Sequence, residues 1–386
     1  MDQLRLGIIG IGNMGSGHMR TITGGEVPGM VLAAVCDINP DRLTWAAENY
    51  PDVPRFDDAE KMMTSGLVDA VLVATPHYIH PDLVIAALNH GLHVMSEKPA
   101  GVYTKAVREM NEIAKKSDKV FAIMFNQRTN CVYRKMKEII DSGEMGNIRR
   151  TNWLITNWYR PQSYYDSGAW RATWNGEGGG VLLNQCPHNL DLWQWLCGMP
   201  VKVQAFTHNG KWHDIEVEDD VTAYVEYANG ATGVFITSTG DAPGTNRLEV
   251  TMDGGKLVCD GSKLIMHKLS QDVNEFSATY KGGFGMPDVT EIEVETDGEN
   301  PQHAGVLRAF TNHILHGEPL TAEGIEGING LTLSNAMHLS SWLGRAVELP
   351  LDEDLFLAEL NKRRATSRVK TGASVTLDTR GTYNEK

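Results

Sequence analysis

The stretch from Leu4 to Gly15 constrains this chain more than any other. Leu4, Leu6, Ile8 and Ile9 read as a short buried strand. Gly10, Gly12 and Gly15 follow at once in the spacing G-x-G-x-x-G, and Ser16 to Ile22 continues as a helix. The first glycine permits a tight turn, the second lets a pyrophosphate approach the backbone, and the third lets helix and strand pack closely. The helix N-terminus, with Asn13 and Met14 beside it, then faces the phosphate charge. A second apolar run, Val31 to Cys36, ends at Asp37, roughly 20 residues beyond the glycines, where a carboxylate meets the ribose. A glycine-rich turn alone is weak evidence, but strand, helix and acid together read as a dinucleotide site.

The first third of the chain continues in the same alternation. Helices are expected over Pro40–Tyr50 (capped by Asn39), Asp57–Thr64, Pro81–His90 and Thr104–Lys116. Strands are expected over Val68–Ala74, Leu92–Met95 and Val120–Met124. This is the grammar of a doubly wound parallel sheet, whose ligands sit outside the carboxyl ends of the strands. The glycine loop, Asp37, Thr75-Pro76, Glu97-Lys98 and Asn126 all fall on that edge.

Near residue 126 the pattern changes. A helix over Cys131–Ser142 and an extended run over Ile148–Trp158 lead into strand-like segments at Val201–His208, Val221–Tyr227, Thr232–Thr239, Arg247–Met252 and Lys263–Lys268. Asn229-Gly230 is a two-residue hairpin turn. A large, mostly antiparallel open sheet is expected, needing cover from helices or another subunit. Helical patterns return at His303–Leu315 and Leu331–Gly344 and are expected to pack back on the first unit. The division is residues 1–126 for the dinucleotide domain, 127–362 for a substrate and oligomerisation domain, and 363–386 for a polar tail, either loose or gripping a neighbour.

Composition narrows the partners. A net charge of −14 argues against nucleic acid and anionic membrane surfaces, which attract clustered Lys and Arg. No apolar run approaches the roughly 20 residues of a membrane span. Five cysteines, odd in number and widely spread, suit reduced thiols in a cytoplasm. Asp2, in place of a basic start, argues against a signal peptide.

Three constellations carry candidate chemistry. Lys98, set between a strand end and Pro99, is placed to feel burial and a cationic cofactor, which would lower its pKa toward proton transfer. A second is Gly178-Gly179-Gly180 followed by Asn184, His188 and Asp191. If a helix begins near Leu182, Asn184 and His188 share a face and Asp191 reaches it. Pro187 marks either a helix start or a kink. His188 is either a general base or a histidine hydrogen-bonded within a helix face. Cys186, His188, Asp191 and Cys197 match no zinc spacing, so no metal is expected. The third runs from Asn157 to Asn175 and holds Tyr159, Arg160, Trp170 and Arg171. Aromatic faces with arginines suit a carbohydrate, and an aromatic core layer under a loop is the alternative.

With these residues assembled, the chain resembles the Gfo/Idh/MocA family, named for glucose–fructose oxidoreductase and inositol dehydrogenase. The marks are the glycine loop, Asp37, Thr75-Pro76 with His80, Glu97-Lys98-Pro99, and the glycine run followed by His188 and Asp191, over roughly residues 3 to 345. The resemblance implies a Rossmann domain, an α/β domain with an open sheet, a homo-oligomer (dimer, tetramer or larger), NAD or NADP, and Lys98 with His188 at the substrate hydroxyl. Asp37, with no adjacent Arg, favours NAD over NADP. Many relatives carry Asp where this chain has Asn184, and an amide cannot stabilise an imidazolium by charge, which shifts the proton path toward Lys98 or Asp191. The loop Trp170-Arg171-Ala172-Thr173-Trp174 is similar to relatives that oxidise glycosides, including at the sugar 3-hydroxyl. The resemblance thus implies a dehydrogenase of sugars, glycosides or cyclic polyols. A glycoside-cleaving enzyme that recycles NAD and a non-catalytic NAD-binding regulator are the alternatives.

Overall fold

A computed structural model describes residues 2–370. Its first sheet has six strands, β1 (Leu4–Ile9), β2 (Met30–Cys36), β3 (Arg55–Phe56), β4 (Ala70–Val73), β5 (His93–Ser96) and β6 (Phe121–Ile123), in the order 3-2-1-4-5-6. Every pairing is parallel. The strands are apolar because helices cover both faces. On one face Leu6 and Ile8 meet Met19 of the helix Asn13–Thr23 and Leu307 and Phe310 of the helix Gln302–His316. On the other, Val71, Val73, Val84 and Val107 belong to a core that runs without a break into the second sheet. Asn39 caps the helix Pro40–Asn49 as expected, its side chain accepting from Asp41 N at 2.9 Å.

The second sheet is larger and mixed. Its strands are β7 (Ile148–Ile155), β8 (Lys202–Asn209), β9 (Glu218–Glu226), β10 (Thr232–Ser238), β11 (Asn246–Met252), β12 (Gly255–Asp260), β13 (Lys263–Leu269), β14 (Val289–Glu293) and β15 (Val347–Glu348). The order is 14-13-12-11-7-10-9-8-15, antiparallel except where β7 meets β10. Asn229-Gly230 turns β9 into β10, but in a loop that also takes in Ala228 rather than the expected two-residue turn, since Tyr227 N donates to Ala231 O; Gly230 takes φ +85° and Asn229 Oδ1 accepts from Ala231 N. One face is covered by the helices Pro187–Cys197 and Gly327–Leu343; Trp193 stacks on Phe235 and donates to Thr151 Oγ1 at 3.0 Å. The opposite face leaves Phe206 and Tyr224 exposed.

Several sequence expectations need correction. Strands β3, β12, β14 and β15 were not expected. β14 is exposed at every residue, so no alternation marked it. Residues 363–365 are not tail: they close a helix, Glu353–Ala365, capped by Asp352 and held by Phe356 stacking on Trp342. Residues 366–370 then lie on this chain's own surface, with Ser367 and Arg368 bonded to Glu216 and Lys370 Nζ donating to the carbonyls of Tyr165 and Arg171. The remainder of the expected tail, 371–386, lies outside the described residues.

One buried ion pair ties the two sheets together. Arg128 leaves the turn after β6, and its guanidinium grips Asp191 through two bonds of 2.8 and 2.7 Å. Both side chains are almost fully buried, and Glu326 takes a third bond at 2.8 Å. Removing one partner strands the other charge away from water, at a cost of about 3–5 kcal/mol. Asp191→Ala is therefore expected to lower unfolding free energy by about that amount in urea titrations; a loss below about 1 kcal/mol would show that the pair is not a structural tie.

Candidate active site

The glycine loop has the shape the spacing requires. Gly10 adopts φ +90°, and a Cβ there would lie 2.6 Å from Ala74 O. A Cβ on Gly15 would lie 1.9 Å from Gly10 O, so only glycine lets helix and strand come this close. A Cβ on Gly12 would meet no protein atom within 4 Å, leaving that side open to a ligand. Asp37 braces the loop: Oδ2 accepts from Ile11 N at 2.8 Å and Oδ1 from Asn39 N at 2.9 Å. Met14 is exposed beside the loop, and Asn13 Oδ1 is buried without a partner among the described residues. The residues present fit a dinucleotide: a bare backbone at the second glycine, a helix N-terminus behind it and a carboxylate at the end of β2.

The other strand ends converge on the same edge. His80 bridges two of them, with Nε2 against Thr75 O at 2.7 Å and Nδ1 against Pro99 O at 2.8 Å. Burial lowers its pKa, against the two carbonyls, which favour the charged ring. Pro76 leads the short turn into this helix. Glu97 is buried and accepts from His18 at 2.7 Å; burial opposes its charge, but His18 prevails and holds the carboxyl at about 2. Asn126 is fully buried and donates to Gln302 Oε1 at 2.5 Å.

Lys98 and His188 meet at this edge. Lys98 Nζ donates to the carbonyl of Asn184 at 2.9 Å. Burial lowers its pKa, opposed by the charges of Glu97 and Glu177. His188 is buried in the first turn of the helix Pro187–Cys197, and neither ring nitrogen has a hydrogen-bond partner among the described residues. Burial and then the Lys98 charge push its pKa well below 6.5, so the ring is neutral. A buried imidazole with both nitrogens unbonded is unusual, because such groups normally find partners inside the protein.

The surroundings of His188 differ from the sequence expectation. The helix begins at Pro187, not near Leu182, so Asn184 precedes it and shares no face with His188. Pro187 is a helix start, as its missing N–H allows at that position. The Asn184 amide turns to Glu177 and Tyr164, not to the imidazole. Asp191 is excluded from the proton path, since both of its oxygens are held by Arg128 and Gln194.

The aromatic loop divides between the two readings. Tyr165 and Trp174 are core, and Trp174 packs on His338 and Trp342. Tyr159 is half exposed, and Arg160 and Arg171 both lie over the ring of Tyr164, at 5.3 and 4.6 Å. Arg171 also lies 4.6 Å over Trp170, whose ring meets His77 edge-on. Two buried acids were missed from the sequence. Glu218 takes the N–H groups of Gly180 and Leu182 and pairs with His338 at 2.9 Å, fixing the glycine run. Glu177 was legible only as a lone charge among the glycines at 176 and 178.

Comparison with known proteins agrees with this fold. The profile of the oxidoreductase family with NAD-binding Rossmann fold, Gfo/Idh/MocA, matches residues 4–125, and that of the Gfo/Idh/MocA C-terminal domain matches residues 133–258. The chain is 25% identical to myo-inositol 2-dehydrogenase of Thermotoga maritima, over 90% of this chain and 98% of that protein. It is 26% identical to D-glucoside 3-dehydrogenase of Escherichia coli, over 82% and 90%. The WlbA dehydrogenase from Bordetella pertussis, solved with NADH and UDP-GlcNAcA, superposes with a TM-score of 0.76 at 26% identity, over 91% of this chain and 100% of that one. The chain belongs to the Gfo/Idh/MocA family of NAD-binding oxidoreductases.

Proposed function

We propose that this protein is an NAD-dependent dehydrogenase that oxidises a ring hydroxyl of a sugar, glycoside or cyclic polyol, in its narrowest form the 3-hydroxyl of a glycoside. The observation that carries the reading is the neutral, unbonded imidazole of His188 under the charge of Lys98, at the edge where the glycine loop opens. The names of the inositol and glucoside dehydrogenases it resembles support the substrate class.

Bound NAD supplies the hydride acceptor for the carbon being oxidised. His188 takes the hydroxyl proton, which a neutral ring can accept. Lys98, held by the Asn184 carbonyl, donates a hydrogen bond to the oxygen as it gains alkoxide character. The hydroxyl thus loses a proton to His188 and the carbon a hydride, leaving a ketone. Tyr159, Trp170, Arg160 and Arg171 offer ring faces and N–H donors to a sugar. For assembly we propose a homo-oligomer that covers the open face of the second sheet, supported by exposed Phe206 and Tyr224.

With purified protein, NAD and a panel of free sugars, glycosides and inositols, NADH absorbance is expected to rise with one class. Lys98→Ala and His188→Ala are each expected to lower kcat by about 10²–10⁴ with NAD affinity retained; near-normal turnover in His188→Ala would remove it as the base. His188 must be neutral and its pKa is depressed, so the acid limb of kcat/KM is expected below pH 6.5. Lys98 must be charged and its pKa is also depressed, so activity is expected to fall as pH rises through a midpoint below 10.5. In titrations NAD is expected to bind at least about tenfold more tightly than NADP, and Asp37→Ala to narrow that gap; tighter NADP binding would reverse the assignment. Light scattering is expected to give a dimer or larger species that Phe206→Glu dissociates, and a monomeric parent protein would refute the assembly.

A further inference from the structure

Glu177 is a buried carboxylate that the reaction as described does not use. Its oxygens face donors alone. Ala172 N donates to Oε2 at 2.5 Å, Asn184 Nδ2 donates to Oε1, and Arg171 Nη1 lies 4.0 Å from Oε1. Among the described residues no group there accepts a carboxyl proton; burial raises the carboxyl's pKa, and Arg171, the Ala172 N–H and the Asn184 amide act against that rise in favour of the ion. Ala172 adopts φ +53°, an uncommon conformation for a residue with a side chain, while its N–H bonds Glu177.

The same acid controls both ends of Asn184. With Nδ2 committed to Glu177, the amide oxygen is left for Tyr164 OH at 3.2 Å, and the Asn184 carbonyl holds Lys98. The charged and titratable groups facing Lys98 are Glu97, Glu177, Arg171, Arg160, His77, His80, His188, His303 and the buried thiol of Cys186, which burial pushes up to about 12. Burial depresses the pKa of each of those four histidines. Glu97 is already engaged with His18. Glu97 still favours the ammonium most, and Glu177 is the second acid that favours it against two arginines.

We propose that Glu177 is a positioning residue of this site: its carboxylate fixes the Asn184 amide and serves as countercharge to the Lys98 ammonium. This rests on the reading of Lys98 as the donor to the alkoxide.

The test follows the protonation of Lys98 by NMR in protein with 13C-labelled lysine and bound NAD, the signal being assigned by its loss in Lys98→Arg. Glu177→Gln is expected to lower the Lys98 midpoint by about one pH unit, because a favourable charge is removed. The alkaline limb of kcat/KM is expected to move with it. The double variant Glu177→Gln/Asn184→Asp exchanges amide and carboxylate while keeping one donor and one acceptor between them, and is expected to restore both readouts. An unmoved midpoint in Glu177→Gln, or no recovery in the double variant, overturns the proposal. Should Glu177→Gln not fold, Glu177→Asp decides alone: it keeps the charge but draws it back from the Asn184 amide, so a lowered midpoint supports the proposal and an unchanged one overturns it. A midpoint that moves in a protein that oxidises no sugar leaves Glu177 in its role and removes the proposed function; sugar oxidation with an unmoved midpoint does the reverse.

Discussion

The fork between Arg128 and Asp191 is the contact on which the site depends. Arg128 belongs to the turn that ends the parallel sheet, and Asp191 to the helix that carries His188. Asp191 lies one turn beyond His188, so gripping it fixes where the imidazole stands relative to the strand end bearing Lys98. Phe125 fills the space between, its ring edge-on to His188 and beneath the Arg128 guanidinium. A planar guanidinium suits this task because its two parallel bonds set direction as well as distance. Two sheets with separate hydrogen-bond ladders are thereby held in one register at the place where chemistry is possible.

Around that tie, several buried charged groups and rings are partnered while the His188 ring, among the described residues, is bonded at neither nitrogen. Glu97 is bonded to His18, Glu218 lies against His338, and Glu177 is surrounded by donors. His80 spends both nitrogens on carbonyls of neighbouring strand ends. Burial of this many ionisable groups is tolerated because each finds a partner of opposite charge or matching polarity. His188 departs from the rule, since its ring is bonded on neither side. An imidazole unbonded at both nitrogens is free to take a proton, which is what the proposed function asks of it.

Much of this was legible in the chain itself. The glycine spacing, Asp37 and the strand-helix alternation are local signals, and each came out where periodicity placed it, in the strand order of a dinucleotide fold. Lys98 and His188 were legible because a strand end and a lone imidazole are marked by their immediate neighbours. The exposed edge strand β14 and the helix Glu353–Ala365 were not. The first has no apolar face to alternate, and the second buries few side chains, notably Phe356 and Leu360. Asn184 was misread for a related reason: the glycine run before it draws the chain into turns until Pro187, and helical spacing does not apply.

The sequence alone therefore determined the class of fold and the dinucleotide edge, and it singled out the two side chains proposed to meet a substrate, because turn chemistry and burial period act over a few residues. Tertiary structure alone decided the partners. Asp191 is paired with a residue 63 positions away, and that separation turns a candidate acid into a structural tie. Glu177 acts on Lys98 only because two distant segments, the strand end at Lys98 and the glycine-rich run that carries Glu177 and Asn184, close on one buried volume. Electrostatics in such a place depends on distance and exclusion of water, and neither is written in the order of the residues.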